Sequence, residues 1–578
     1  MSYKDIYNEW LNNPYFDEAT KAELQAIKDD EKEIEDRFYM DLEFGTAGLR
    51  GVIGAGTNRM NIYVVRKATQ GLANYINKMG QGSKGVAIAY DSRNMSPEFA
   101  DEAALCLCAN GIKAYVFESL RPTPELSFAV RYLGCTAGIN VTASHNPAEY
   151  NGYKVYWEDG AQITPPHDTG IMSEVKAVAD YSACKTMDKE KAIADGLYIQ
   201  IGANVDDSYI AELKKQVKNQ KCIDEMQKDI KIVYTPLHGT GNLTVRRILK
   251  ELGFKNVFVV PEQELPDGEF PTVSYPNPEA PEAFELALKL AKEKDADLVL
   301  ATDPDADRLG VYVKDTKSGE YICLTGNMSG SFLADYEIGQ KLALEGKLPE
   351  DGELIKTVVT SNLVDAMAKY YGIKVTECLT GFKWIGREIL RMETTGKGHY
   401  LFGFEESYGC LIGTHARDKD AIVASMALCE AAAYYKLRGK TIWDAMLDMY
   451  EKYGYYKDNV IAITHKGIEG LQKIQSIMDN LRKNPPMKFG NYDVTAVRDY
   501  LKDEIVDVKT GEKKPTGIPK SNVLYFELTE DAWLCVRPSG TEPKIKLYFG
   551  VVGKDLADAD EKSEKLAVIV KDLLNQLG

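Results

Sequence analysis

Apolar residues in this chain gather into short runs, separated by longer stretches with helical spacing. The first group of runs is Val86–Tyr90, Tyr115–Phe117 and Gly138–Val141. A second is Ile230–Tyr234, Val257–Val260 and Asp297–Ala301, and a third is Leu354–Val359, Lys374–Thr376 and Tyr400–Phe402. Short apolar runs bounded by turn residues predict buried strands. The helical stretches between them predict βαβ units. The pattern therefore predicts an α/β fold with three similar domains built on mixed or parallel sheets. Beyond about residue 456 it changes. Val523–Leu528, Ala532–Val536 and Ile545–Val552 lie close together, ahead of a helix-like tail, Ala557–Leu577. That predicts a C-terminal α+β domain with an antiparallel sheet. Residues 3–40 are heavily charged, with Leu24, Ile27 and Ile34 on one face, and read as a solvated accessory helix pair. The expected domain spans are 1–205, 206–322, 323–455 and 456–578.

In each of the first three groups the last strand runs into a polar loop. Open α/β sheets keep ligand crevices beyond the carboxyl ends of their strands, so three similar domains can aim these loops into one central crevice. The first loop, Thr142-Ala143-Ser144-His145-Asn146-Pro147, offers the Ser144 hydroxyl as a candidate nucleophile. In the second, Asp303-Pro304-Asp305-Ala306-Asp307-Arg308, an extended backbone would put Asp303, Asp305 and Asp307 on one face. Three hard oxygen donors suit Mg²⁺ or Ca²⁺. An EF-hand is excluded, because its sixth position is Arg308 and its twelfth is Lys314. The third loop, Phe404-Glu405-Glu406-Ser407, supplies partners for sugar hydroxyls.

Other stretches add cations. Arg50 stands among glycines in Phe44-Gly45-Thr46-Ala47-Gly48-Leu49-Arg50-Gly51, suited to a phosphate. Thr380-Gly381-Phe382-Lys383 and Arg417-Asp418-Lys419-Asp420 are candidate phosphate and sugar contacts. Arg537, Ser539, Gly540, Thr541 and Lys546, between two C-terminal strands, form a candidate phosphate cradle. Two nucleotide motifs fail on context. Gly80–Gly85 matches GxGxxG but precedes a strand, and Gly439-Lys440-Thr441 has Tyr434 where a P-loop needs glycine.

The 578-residue chain has a formal net charge of −17 and ten cysteines. That charge argues against a nucleic-acid partner, whose footprint is basic. The cysteines include no CxxC pair and point to reduced thiols in a cytoplasmic protein. The polar N-terminus shows no signal-peptide apolar region, and no run nears the roughly 18 apolar residues of a membrane span. No oligomeric state can be read from these features.

Taken in order, TASHNP, DPDADR, FEES and RPSGT resemble the motifs of the α-D-phosphohexomutase superfamily, over residues from about 44 to 551. The length and GFEESYG look most like the branch containing phosphoglucomutases and phosphopentomutases. The resemblance implies an intramolecular phosphotransferase of phosphosugars. It would interconvert α-D-glucose 1-phosphate and glucose 6-phosphate through a phosphoserine, with glucose 1,6-bisphosphate as intermediate and activator. It implies that Ser144 is phosphorylated, and that Asp303, Asp305 and Asp307 hold one Mg²⁺ with a phosphoserine oxygen. Arg308 would lie beside the phosphoserine, and Arg50 and Lys154 would assist proton transfer and phosphoryl binding. Glu405 and Ser407 would contact sugar hydroxyls, with Thr380 and Lys419 also near substrate. Arg537, Ser539, Gly540 and Thr541 would grip the non-reacting phosphate. The expected base is Lys154 with a lowered pKa, a role that Lys383 or His145 can share. Phe404 departs from the glycine common in relatives, while Glu406 and Tyr408 replace the Met and His of mannose-using ones. Activity on mannose or pentose phosphates, a hydrolase using an aspartate nucleophile, and a non-catalytic sugar-phosphate binder are the alternatives.

Overall fold

The computed structural model describes residues 2–42, 48–464, 467–539 and 544–577. The chain forms two compact units. The first comprises Met1–Thr325, Phe382–Lys397 and Ser407–Ile442. The second comprises Gly326–Gly381, Gly398–Glu406 and Trp443–Gly578.

In the first unit, strands β1 (Leu49–Val52), β2 (Val86–Tyr90), β3 (Ala114–Phe117), β4 (Ala137–Val141), β5 (Tyr150–Trp157) and β6 (Tyr198–Ile201) make one sheet of order β1-β5-β4-β2-β3-β6. Strands β2, β3, β4 and β6 are parallel, and β5 and β1 are added antiparallel. Val86, Ala87, Ile88 and Ala89 are fully buried, as the continuous apolar run of a strand covered on both faces requires. Helix Ile62–Lys78 lays Val65, Ala68, Leu72 and Ile76, at helical spacing, into the core that holds Ile88 and Ile139. Asn61 caps it by accepting the Val64 N–H. A second sheet of the same unit takes β7 (Lys231–Thr235), β8 (Asn256–Val259), β9 (Leu298–Thr302), β10 (Leu309–Lys314) and β11 (Tyr321–Leu324) in the order β11-β10-β9-β7-β8.

The second unit carries β12 (Gly352–Thr357), β13 (Lys374–Cys378) and β14 (His399–Glu405), with β12 parallel to both neighbours. The short β15 (Gly409–Leu411) belongs to the first unit. All three groups share one order: the first strand in sequence is central, and the second and third flank it. The chain reverses its winding between the first and third strands, and a crevice opens beyond their carboxyl ends. Topology alone therefore brings the loop after β2 to the loop after β4.

The C-terminal sheet has eight strands: β16 (Tyr455–Thr464), β17 (Lys488–Phe489), β18 (Tyr492–Asp499), β19 (Glu504–Asp507), β20 (Lys513–Lys514), β21 (Leu524–Leu528), β22 (Trp533–Pro538) and β23 (Lys544–Gly553). Its pairings are antiparallel, and helices Gly467–Lys483 and Leu556–Leu577 supply buried residues to its core.

The first forty residues depart from expectation. They form three helices, Tyr3–Asn12, Glu18–Ala26 and Glu31–Phe38, and they are packed, not merely solvated. Trp10, Phe16, Leu24 and Phe38 are buried with Tyr63 in one cluster. Trp10 stacks on Phe16 at 4.2 Å and meets Tyr63 and Tyr181 edge-on. A few aromatics carry this burial, so the charged background hid it. No helix among the described residues is long and apolar enough to cross a membrane.

Candidate active site

Ser144 follows β4 with a φ of 52°, a left-handed conformation that costs a non-glycine residue roughly 1 kcal/mol or more. The loop after β2 enforces it. Arg93, fully buried, donates from Nη2 to the Ser144 carbonyl at 2.7 Å and to the Asn146 carbonyl. Its Nη1 donates to the carbonyls of Pro147 at 2.8 Å and Tyr150 at 3.0 Å. Asp91 faces it, 3.5 Å from Nε. Asp91 also accepts from the Ser96 and Thr142 hydroxyls at 2.9 and 2.6 Å, and the Thr142 oxygen accepts the Ser144 N–H at 2.8 Å. Burial pulls the Arg93 pKa down to about 10, partly offset by Asp91, so the guanidinium stays charged at neutral pH.

The Ser144 hydroxyl is buried. It donates to Asp303 Oδ2 at 2.9 Å and lies 3.1 Å from His145 Nδ1. Burial, with Arg308 and Arg50 nearby, holds the His145 pKa well below its usual value, so the imidazole is neutral. Arg50 donates to the Asn146 side chain at 2.9 Å.

The second loop is a turn, not the extended segment expected, with Ala306 at φ 51°. Reversal of the chain, instead of alternation along it, gathers the three carboxylates. Asp303, Asp305 and Asp307 are buried, with one oxygen of each within 4.8 Å of the others. Asp303 Oδ1 accepts the N–H groups of Asp307 and Arg308 at 3.1 and 3.0 Å. Asp305 Oδ2 accepts from Lys154 at 2.9 Å and from the Thr123 hydroxyl at 2.7 Å. Asp307 Oδ2 lies 3.0 Å from Lys419 Nζ and 3.7 Å from Lys154 Nζ. The remaining oxygens, Asp305 Oδ1 and Asp307 Oδ1, are buried without a hydrogen-bond partner among the described residues, and Asp307 Oδ1 lies 3.9 Å from Arg308 Nε. Orphaned carboxylate oxygens in a dry site are costly, and a hard cation is the group that satisfies them. These residues fit a metal.

Charge balance in this cluster corrects one expectation. Burial alone would lower the Lys154 pKa, but Asp305 and Asp307 outweigh it and the net direction is upward. Lys154 is therefore held as a cation. Burial also acts against the Asp305 charge, yet Lys154 and Thr123 carry its pKa below the ordinary value. Asp303 and Asp307 go up, from burial and then from Asp305. Arg308 directs its guanidinium to Glu279 at 2.6 Å. Asp418, beside Lys419, accepts from Tyr156 at 2.8 Å. The Tyr408 carbonyl accepts the Leu309 N–H at 3.0 Å, which ties the Ser407 segment to the strand leaving the aspartate turn.

In the second unit, Glu405 ends β14, is buried, and accepts the Gly381 N–H at 2.8 Å. The Thr380 hydroxyl is buried there without a partner among the described residues. Phe404 lies on the opposite face, fully buried against Gly330, where a Cβ would meet its ring at 2.1 Å. The departure at Phe404 is thus a core-packing change that leaves the Glu405 face alone. Glu406 accepts from Thr357 at 3.4 Å. Burial, then Glu405, push its pKa up to about 7, against the pull of Lys546 and Arg537. Arg537 and Lys546 are register partners across β22 and β23, and the Ser539 N–H donates to the Lys544 carbonyl at 2.7 Å. Gly540, Thr541 and residues 44–47 lie outside the described residues. Lys383 lines a cavity of about 450 Å³ with Gly48, Gln162, Asp168 and Thr169, and none of the Ser144 cluster is among its walls.

Models of the phosphoglucomutase/phosphomannomutase family match four successive segments. They are α/β/α domain I over 41–182, domain II over 207–318, domain III over 325–453 and the C-terminal domain over 478–563. A phosphoglucomutase of Staphylococcus aureus is 37% identical over 558 residues, spanning 95% of this chain and 97% of its own. The chain belongs to the phosphoglucomutase/phosphomannomutase family. A second Staphylococcus aureus phosphoglucomutase is 38% identical over 554 residues, covering 94% of this chain and 96% of its own. The fold matches parafusin, a phosphoglucomutase of Paramecium in its open form, with a TM-score of 0.67 at 18% identity, covering 93% of this chain and 96% of that one. It also matches a phosphoglucomutase/phosphomannomutase family protein of Burkholderia thailandensis, with a TM-score of 0.63 at 20% identity, over 92% and 98% of the two chains.

Two groups at this phosphohexomutase site escaped the sequence reading. Asp91 and Arg93 follow the first strand of their group, and Thr123 opens the helix after the second. A polar Asp-Ser-Arg directly after an apolar strand was the available signal for the first. Thr123 had none, because its partner Asp305 is 182 residues away.

Proposed function

We propose that the protein is a phosphoglucomutase interconverting α-D-glucose 1-phosphate and glucose 6-phosphate. Phosphorylated Ser144 gives its phosphoryl group to one hydroxyl of the sugar monophosphate. The resulting glucose 1,6-bisphosphate turns end over end and returns its other phosphoryl group to Ser144. The observation that carries this reading is the Ser144 hydroxyl 2.9 Å from Asp303, in a buried cluster where lysines Lys154 and Lys419 face three carboxylates. Phosphoryl transfer depends mainly on positioning and charge stabilisation, and this cluster offers both. The extensive identity with staphylococcal phosphoglucomutases supports glucose as the sugar, and so do Glu406 and Tyr408.

Mg²⁺ held by Asp303, Asp305 and Asp307 would neutralise charge on the transferring group and on the Ser144 oxygen. Lys154, kept protonated by Asp305, suits proton donation and phosphoryl binding better than the base role. Neutral His145, 3.1 Å from Ser144 Oγ, is placed to accept the serine proton when the phosphoryl group returns. Arg50 and Arg308 assist with phosphoryl charge. Glu405, Thr380, Gly381, Ser407 and Lys419 contact the sugar, and Arg537, Ser539, Gly540, Thr541 and Lys546 hold the distal phosphate. The ten free cysteines support a cytoplasmic, reducing setting.

A ³¹P NMR time course tests this. With Mg²⁺ and a trace of glucose 1,6-bisphosphate, glucose 1-phosphate converts to glucose 6-phosphate without inorganic phosphate, and faster than mannose 1-phosphate or ribose 1-phosphate in parallel tubes. Accumulation of inorganic phosphate alone would replace the mutase with a hydrolase.

A further inference from the structure

Thr123 holds Asp305 at two points. It is fully buried and opens helix Thr123–Tyr132 between Pro122 and Pro124, and prolines on both sides stiffen its backbone. Its N–H donates to the Asp305 carbonyl at 2.8 Å and its hydroxyl to Asp305 Oδ2 at 2.7 Å. A hydroxyl has a single hydrogen and an ionised carboxylate only accepts, so that hydrogen is committed to Asp305. Buried Asn140 keeps it so, because its Nδ2 donates to the Thr123 oxygen at 2.5 Å. Asn140 on β4 stands directly opposite Lys154 on β5, and opposed residues share a face of the sheet. Lys154 donates to the same Asp305 Oδ2 at 2.9 Å. Neighbouring strands thus close on a single carboxylate oxygen, β5 directly and β4 through Thr123.

The other aspartates are engaged in the same one-sided manner. Asp303 Oδ1 accepts the N–H groups of Asp307 and Arg308, and Asp307 Oδ2 lies against Lys419 and Lys154. A carboxylate with one oxygen so engaged offers a cation the other oxygen alone. Single-oxygen donors suit Mg²⁺, which demands near-octahedral geometry and keeps several waters. Ca²⁺ takes roughly six to eight oxygens and gains from carboxylates that bind through both. We propose that Thr123 is a positioning residue that restricts Asp305 to one oxygen and so tilts the site toward Mg²⁺ over Ca²⁺. The inference rests on the metal reading above and adds the residue that sets the choice of ion.

Isothermal titration of the full chain with MgCl₂ and with CaCl₂ measures that choice without turnover. Thr123→Val keeps the N–H and the shape of the side chain but loses the hydroxyl. It is expected to weaken Mg²⁺ about 10–100-fold, the usual cost of losing a partner that orients a metal ligand. Ca²⁺, able to take the released oxygen, loses less, so the Mg²⁺-to-Ca²⁺ affinity ratio falls by about tenfold or more. Thr123→Ser restores the hydroxyl and with it the ratio. Asn140→Leu keeps the hydroxyl but frees its direction, and the ratio falls part of the way. An unchanged ratio in Thr123→Val or, where that protein does not fold, in Asn140→Leu overturns the proposal, whether the ions are unaffected or are weakened equally as a packing role would make them. Failure of the wild-type chain to bind Mg²⁺ overturns the metal reading instead.

Discussion

The loops after β4 and β9 occupy equivalent positions on equivalent three-strand cores, yet their side chains are used differently. The serine loop is fixed through its backbone: one buried guanidinium collects four carbonyls, and the strained Ser144 sits where the carbonyls leave it. The aspartate turn is also held at its Pro304 and Asp305 carbonyls, by the Thr240 and Thr123 N–H groups, but its carboxylates are drawn in by Lys154, Lys419 and the Thr123 hydroxyl, and two of their oxygens have no hydrogen bond among the described residues. A repeated scaffold can thus present a serine on one loop and gather three carboxylates on another with the same strand order.

The largest effect should come from the residue the first loop exists to present. Ser144→Ala is expected to cost at least about 10⁴-fold in turnover while barely moving the melting temperature, measured by the NMR conversion assay and by calorimetry. Next comes its anchor. Arg93→Met leaves Asp91 as an unpaired buried charge and four carbonyls short of a donor. It should destabilise the protein by roughly 3–5 kcal/mol, read from denaturant unfolding; a loss under 1 kcal/mol would mean the loop holds its own shape. The second unit offers a pH contrast. Burial raises the Glu406 pKa from 4.5 to about 7 and that of Asp458, on β16, from 3.8 to about 6. Raised carboxyl pKa values mean the fold prefers the protonated forms. Their contribution to stability is full below about pH 4 and is lost as pH climbs through 6 and 7, by roughly 3 kcal/mol per group. Glu406→Gln and Asp458→Asn should each flatten part of that slope in melting curves taken across pH 4–8. The smallest effect has the opposite sign. Asp303→Asn, removing one of three crowded charges, should stabilise the metal-free protein by about 1 kcal/mol, yet abolish the further rise in melting temperature that Mg²⁺ gives the wild type.

Much of this was legible in sequence because each β-strand group is local. Val86–Tyr90 and Gly138–Val141 announce themselves as two-sided buried strands, and the loops they feed contain the reactive residues. What stayed hidden was what depends on distant partners. The direction of the Lys154 shift is set by carboxylates 151 and 153 residues further on, which no local pattern reveals. The aspartates converge because Ala306 takes a left-handed turn, a choice alanine does not advertise. The helical cap was missed because Tyr7, Trp10, Phe16 and Phe38, spread over a charged segment, bury a face that aliphatic periodicity does not mark.

That cap has a consequence for synthesis on the ribosome. Trp10 and Phe16 reach the exit tunnel early, but their shelter is completed by Tyr63 and by Tyr181. At roughly 5–20 residues per second, the first helices wait about 10 s or longer with their aromatic faces open. Newborn chains are therefore expected to offer helices Tyr3–Asn12 and Glu31–Phe38 to a passing chaperone, and synonymous changes that slow translation before residue 181 should lengthen that exposure.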